Sequence, residues 1–109
     1  MASVEKILEL GTKKNYKKIV KYVGSKKEDI RAAAYEALGC IPGPDSVNVL
    51  TTGLNDPSTT VRLKVALSLQ KVGDNRATEF IKHQIARESD ANIKKELQKA
   101  LNADRDKEA

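Results

Sequence analysis

The chain has 109 residues, enough for one domain with a modest core. Hydrophobic residues make up 39% of it but aromatics only 4%. Its core must therefore be built from Leu, Ile, Val and Ala, which suits close helix packing better than a sandwich of sheets. The net charge of +5 permits an acidic partner without demanding one. A single cysteine, Cys40, excludes an internal disulfide and fits a reducing compartment. Residues 1–10 mix charged and apolar side chains, unlike a signal peptide or a membrane span, so the expected location is the cytoplasm.

The first apolar set is short: Val4, Ile7 and Leu10, followed by Gly11. Residues 1–11 read as a capping helix with Glu5, Lys6 and Glu9 outward. Residues 15–41 then carry two apolar stripes at helical spacing. The first is Tyr16, Ile19, Val20 and Val23; the second is Ile30, Ala34, Leu38 and Ile41, widened by Ala33 and Ala37. Ser25 and Glu28 have the spacing of a capping box for the second helix.

The same two stripes return in residues 46–72, as Val47, Leu50 and Leu54, then Val61, Val65, Leu69 and Val72. Ile30 and Val61 stand 31 positions apart, as do Arg31 and Arg62, and Leu38 and Leu69. Asp56-Pro57 predicts an N-cap and a first-position proline for the second helix of this unit. Residues 76–102 give the third copy: Thr78, Ile81 and Ile85, then Ile93, Leu97 and Leu101, with Lys94 on the arginine frame. Its second stripe is displaced by one extra residue, which belongs in the connection around 87–92, where insertions cost little. Pro42, Gly43 and Pro44 end one unit, and Gly73-Asp74-Asn75 ends the next. The charged segment 103–109 is expected to fray.

Helix pairs recurring every 31 residues predict an all-α solenoid of three repeats, with residues 1–11 as a half-repeat capping one end. Val4, Ile7 and Leu10 fall on Tyr35, Leu38 and Ile41 at the same offset, which makes that half-repeat a truncated second helix. Polar outer faces at both ends predict a monomer.

The pattern Asn55-Asp56-Pro57-Ser58, then Val61-Arg62, Ala66, Leu69 and Val72-Gly73, resembles the short HEAT-like repeat of phycobilisome lyases and many bacterial proteins. The resemblance covers residues 15 to 102. Unit one has Lys27-Glu28-Asp29 in place of the Asp-Pro, and unit three has Lys94 in place of the arginine. The resemblance implies a right-handed superhelix with second helices on its concave side. It also implies an inter-repeat polar ladder that includes Asp56 and Arg62, and protein binding as the general function.

Candidate functional residues fall into two groups. On the second helices, Ala32, Glu36, Leu63, Leu67, Gln70, Lys95 and Lys99 sit off the main core stripe and are expected to line the concave face. If Leu63 and Leu67 are open, they make an apolar patch flanked by charge, suited to a protein partner. The second group is basic. Between Gly11 and Lys27 there are seven lysines and no acid, and Lys13, Lys14, Lys17, Lys18 and Lys21 suggest a stripe able to neutralise phosphates. The stripe has no arginine and no aromatic stacking partner on its own face, which favours a solvated or acidic-protein-facing surface.

No catalytic constellation is evident. His83, the one histidine, aligns with Thr52 and Lys21 on an outward helix side, and no second ligand accompanies it. Cys40 stands in another repeat, away from a base. The sequence therefore predicts a non-enzymatic interaction scaffold with no cofactor or metal, and nucleic-acid or polyanion binding is the alternative.

Overall fold

A computed structural model describes residues 2–108, and the side chains of residues 2–103. The expectation of a frayed 103–109 tail falls almost wholly on side chains outside the described residues. Among the described residues seven α-helices run in chain order: α1 (Val4–Thr12), α2 (Tyr16–Ile19), α3 (Glu28–Leu38), α4 (Pro44–Gly53), α5 (Thr59–Val72), α6 (Thr78–Arg87) and α7 (Ala91–Glu108). A 3₁₀ turn at Val20–Tyr22 extends α2, and another at Asn75–Ala77 leads into α6. No strand occurs among the described residues.

The helices form two layers. One holds α1, α3, α5 and α7, each packed on the next; α2, α4 and α6 each pack back on the second helix of their own unit. The extents of 40 × 29 × 17 Å suit a slab two helices thick, since packed helix axes lie about 8–10 Å apart with Cα atoms about 2.3 Å off each axis.

The seam between the layers follows the repeat frame. Leu38, Leu69 and Leu101 are all buried, and so are Ile30, Val61 and Ile93 two helical turns earlier. Ala34, Val65 and Leu97 are sealed completely. In the other layer Ile19, Leu50 and Ile81 are the anchors. The capping helix α1 joins the seam through Ile7, which has no exposed surface. Gly11 lets it approach α3: a Cβ there would stand 2.9 Å from the Ala37 Cα, closer than real Cβ contacts come.

Two helix starts differ from the expectation. Ser25 does not form a capping box. Helix α3 begins at Glu28 after Lys27, which caps without a side-chain bond, and Ser25 Oγ accepts from the Lys27 N–H instead. Helix α5 is capped by Ser58, whose Oγ accepts from the Val61 N–H at 3.2 Å. Pro57 therefore precedes the cap and does not open the helix, and Asp56, two residues before the cap, accepts from Arg31 of the preceding unit.

Candidate functional site

The polar ladder has one element in the loop between the two helices of each unit. Asp56 Oδ1 accepts from the Ser58 N–H at 2.9 Å, and Glu88 Oε2 accepts from the Asp90 N–H at 3.1 Å. Ser25 makes the same turn with Lys27. These three residues share one frame position. Each acid also receives an arginine fork from the unit before it. Arg31 Nε and Nη2 donate to Asp56 at 2.9 and 3.1 Å. Arg62 Nε and Nη2 donate to Glu88 at the same two distances. The remaining nitrogen turns inward: Arg31 Nη1 donates to the Ser25 carbonyl and Arg62 Nη1 to the Asp56 carbonyl.

Two parallel N–H···O bonds fix both angle and distance, which an ammonium cannot do. The ladder therefore sets the spacing between neighbouring units. Glu88 was not legible as a ladder member, because it replaces the Asp-Pro of the middle unit. Its position 32 residues after Asp56 was the available signal. Lys94, on the arginine frame of unit three, is exposed.

Burial pushes the Asp56 carboxyl upward, but the Arg31 fork and the Ser58 N–H outweigh it and leave it below the ordinary carboxylate range. Glu88 follows the same balance, with Arg62, the Asp90 N–H and Gln84 prevailing over burial.

A family model for HEAT repeats matches residues 16–102. The chain belongs to the HEAT-repeat family. No curated protein is significantly similar to this HEAT-repeat chain in sequence. Three consecutive helix pairs on one frame, joined by two forks of the same geometry, are what the family's repeat looks like in this chain. No described helix is long and apolar enough to cross a membrane.

The second-helix layer of these HEAT units carries the first candidate group. Ala32 is the exception. It is buried, because α1 and α5 flank α3 on both sides and a single methyl is too short to emerge between them. Leu63 is half-buried and packs against the core. Leu67 is also half-buried, and it lines a groove of about 400 Å³ with Glu36, Lys64, Ser68, Gln70 and Lys71. The two leucines are thus neither an open patch nor sealed in the seam.

Polar bonds between neighbouring second helices hold this groove. Lys64 Nζ lies 2.8 Å from Glu36 Oε1. Gln70 Nε2 donates to the Glu96 carbonyl at 3.0 Å and to Glu96 Oε2 at 2.8 Å. Lys99 Nζ reaches Glu96 at 3.2 Å, whereas Lys95 is exposed and makes no ion pair with a described residue. Gln70 chiefly, together with Lys99, holds the Glu96 carboxyl below its ordinary range.

The lysine group is not one helical stripe. Helix α2 has four residues before it tightens into the 3₁₀ turn. Lys14 lies before it in a turn, in the left-handed region at φ 57°. Lys13 caps α1 and pairs with Glu9 at 3.1 Å. Lys17, Lys18 and Lys21 remain on α2 and its extension, exposed and without an ion pair to any described residue. Lys18 shares a cleft of about 450 Å³ with Lys6, Lys13 and Tyr22.

His83 is exposed on α6, and Cys40 is half-buried just past the end of α3. No cluster of metal-ligating side chains occurs among the described residues. Sequence reasoning missed Phe80, which is 56% exposed on α6. The repeat frame carried the signal, since Phe80 aligns with half-buried Val49 and exposed Lys18.

Proposed function

We propose that this chain is a non-enzymatic protein-interaction scaffold that receives its partner on the second-helix face. The observation that carries the reading is Leu67. Its side chain is half-buried in the groove between α3 and α5 and framed by Glu36, Lys64, Gln70 and Lys71. An apolar anchor whose neighbours Glu36, Lys64 and Gln70 are already held by cross-helix bonds suits a partner side chain, because little ordering of those three is left to be done on binding. Lys95 extends the cationic edge of that face. HEAT repeats in general mediate protein–protein contact.

The polyanion reading has weaker support. Lys13 is committed to Glu9, Lys14 sits in a turn, and the remaining three lysines do not form the continuous track that phosphates would require.

A photo-crosslinking residue placed at position 67 tests the proposal in the native host. A discrete adduct is expected from position 67, with none from position 82 on the opposite layer. The adduct should weaken when Lys71 and Lys95 are reversed to glutamate. Adducts from position 82 alone, or from neither position, overturn the assignment.

A further inference from the structure

The first-helix layer holds a second groove that the reading above does not use. Helix α2 packs on α1 and α3, and its brevity leaves a space of about 370 Å³ between the first helices of units one and two. Its floor is apolar: Tyr16, Val20 and Val23 from unit one and Val49 from α4, all half-buried. Asn48 and Thr52 form the α4 edge, with Asp45 at its N-terminal end. The Thr52 hydroxyl is committed to the Val49 carbonyl at 2.6 Å.

Charge decides what fits. Lys17 and Lys21 directly follow Tyr16 and Val20 in the chain, stand one turn apart, and are exposed without an ion pair to any described residue. No acid lies between Gly11 and Lys27 to neutralise them. The floor spans residues 16 to 23, about two helical turns. An occupant must therefore offer apolar side chains to the floor and negative charge to one edge. Phosphates would lie against Val20 and Val49, lose hydration and gain no arginine fork, so a nucleic acid matches the groove poorly.

We infer that this groove docks a short amphipathic segment of a partner protein, about two turns long. Its aliphatic side chains lie on Tyr16, Val20, Val23 and Val49, and two carboxylates one turn apart meet Lys17 and Lys21. The site is separate from the second-helix groove, so either can stand if the other fails.

The test is fluorescence anisotropy with a labelled synthetic peptide of about three helical turns, carrying leucines on one face and glutamates four residues apart beside them. A scrambled peptide and a short oligothymidylate serve as competing probes. Saturable, salt-weakened binding is expected, reduced about tenfold or more by K17E/K21E and unchanged by K95E on the other face. Replacing the peptide's glutamates with lysines should restore binding to K17E/K21E but not to the parent. Those two lysines are exposed, so the double variant should melt with the parent, and a charge-swap rescue cannot come from unfolding. Four results overturn the inference: no saturation at about 1 mM peptide, equal binding of the scrambled peptide, tighter binding of the oligothymidylate, or a loss caused by K95E in place of K17E/K21E.

Discussion

Arg62 grips Glu88 with two hydrogen bonds of 2.9 and 3.1 Å, and the Glu88 side chain is only 1% exposed. The same fork joins Arg31 to Asp56 one unit earlier, where the acid side chain is 8% exposed. Both acids also close their own loops by accepting an N–H two residues on. Each fork thus ties the first turn of one unit's second helix to the turn that starts the next second helix.

Breaking one side of the buried fork should be costly. Arg62→Met leaves the Glu88 carboxylate with Gln84 and the Asp90 N–H but without its countercharge. A loss of about 3 kcal/mol is expected. The paired change Arg62→Met with Glu88→Met should lose less than the sum of the two single changes. Urea unfolding of the four proteins measures this coupling, and strict additivity would show that the fork contributes nothing as a pair.

Acid should loosen the stack through the same groups. The Asp56 and Glu88 carboxyls lie below their ordinary range when folded, so the folded state binds their protons less readily than the unfolded chain. Their contribution is complete above the unfolded carboxylate values and is lost as pH falls through the folded ones. The urea midpoint is expected to hold steady down to about pH 5 and to fall below it. In Glu88→Gln the drop should be shallower, and an equally steep drop would remove Glu88 from the account.

Gly53 lies where two units meet. A Cβ on it would come within 2.5 Å of Val65 Cγ2 and 2.8 Å of the Tyr35 ring. Gly53→Ala should therefore cost about 1–3 kcal/mol through overpacking. Gly24 has no atom within 4 Å of such a Cβ and lacks a positive φ, so Gly24→Ala should be neutral or slightly stabilising. Thermal melts of the two variants separate these outcomes.

Lys14 holds a left-handed conformation, at φ 57°, in the turn that ends α1. Its N–H bonds the Gly11 carbonyl and the next N–H bonds the Leu10 carbonyl, as at many helix ends closed by glycine. Lys14→Gly is expected to stabilise the chain or leave it unchanged, within about 1 kcal/mol. A clear loss in the melting midpoint would mean that the lysine side chain makes a contribution of its own to this turn.

The apolar positions were readable from sequence because a helix buries side chains at a fixed interval. Leu38, Leu69 and Leu101 could be paired by chain offset alone, and all three lie in the seam. The arginine positions followed from the same offset. Ala32 shows the limit of that reading. It occupies an off-stripe position like Leu63, but α1 and α5 cover it from both sides. The lysine group shows another limit. Its spacing fits a regular helix, whereas α2 stops after four residues and Lys14 turns away.

By itself, the sequence determined the number of helix pairs, the aliphatic seam and the frame on which Arg31 recurs as Arg62. Those follow from periodicity, a property of each segment taken alone. Only the tertiary structure decided that Arg31 meets Asp56 and Arg62 meets Glu88, that Leu67 borders a groove, and that Val49 and Val20 share another. Such relations depend on how neighbouring units are displaced and rotated against one another. That displacement is set by small close-contact residues and by forked ion pairs between segments about 25 residues apart, and no local pattern encodes it.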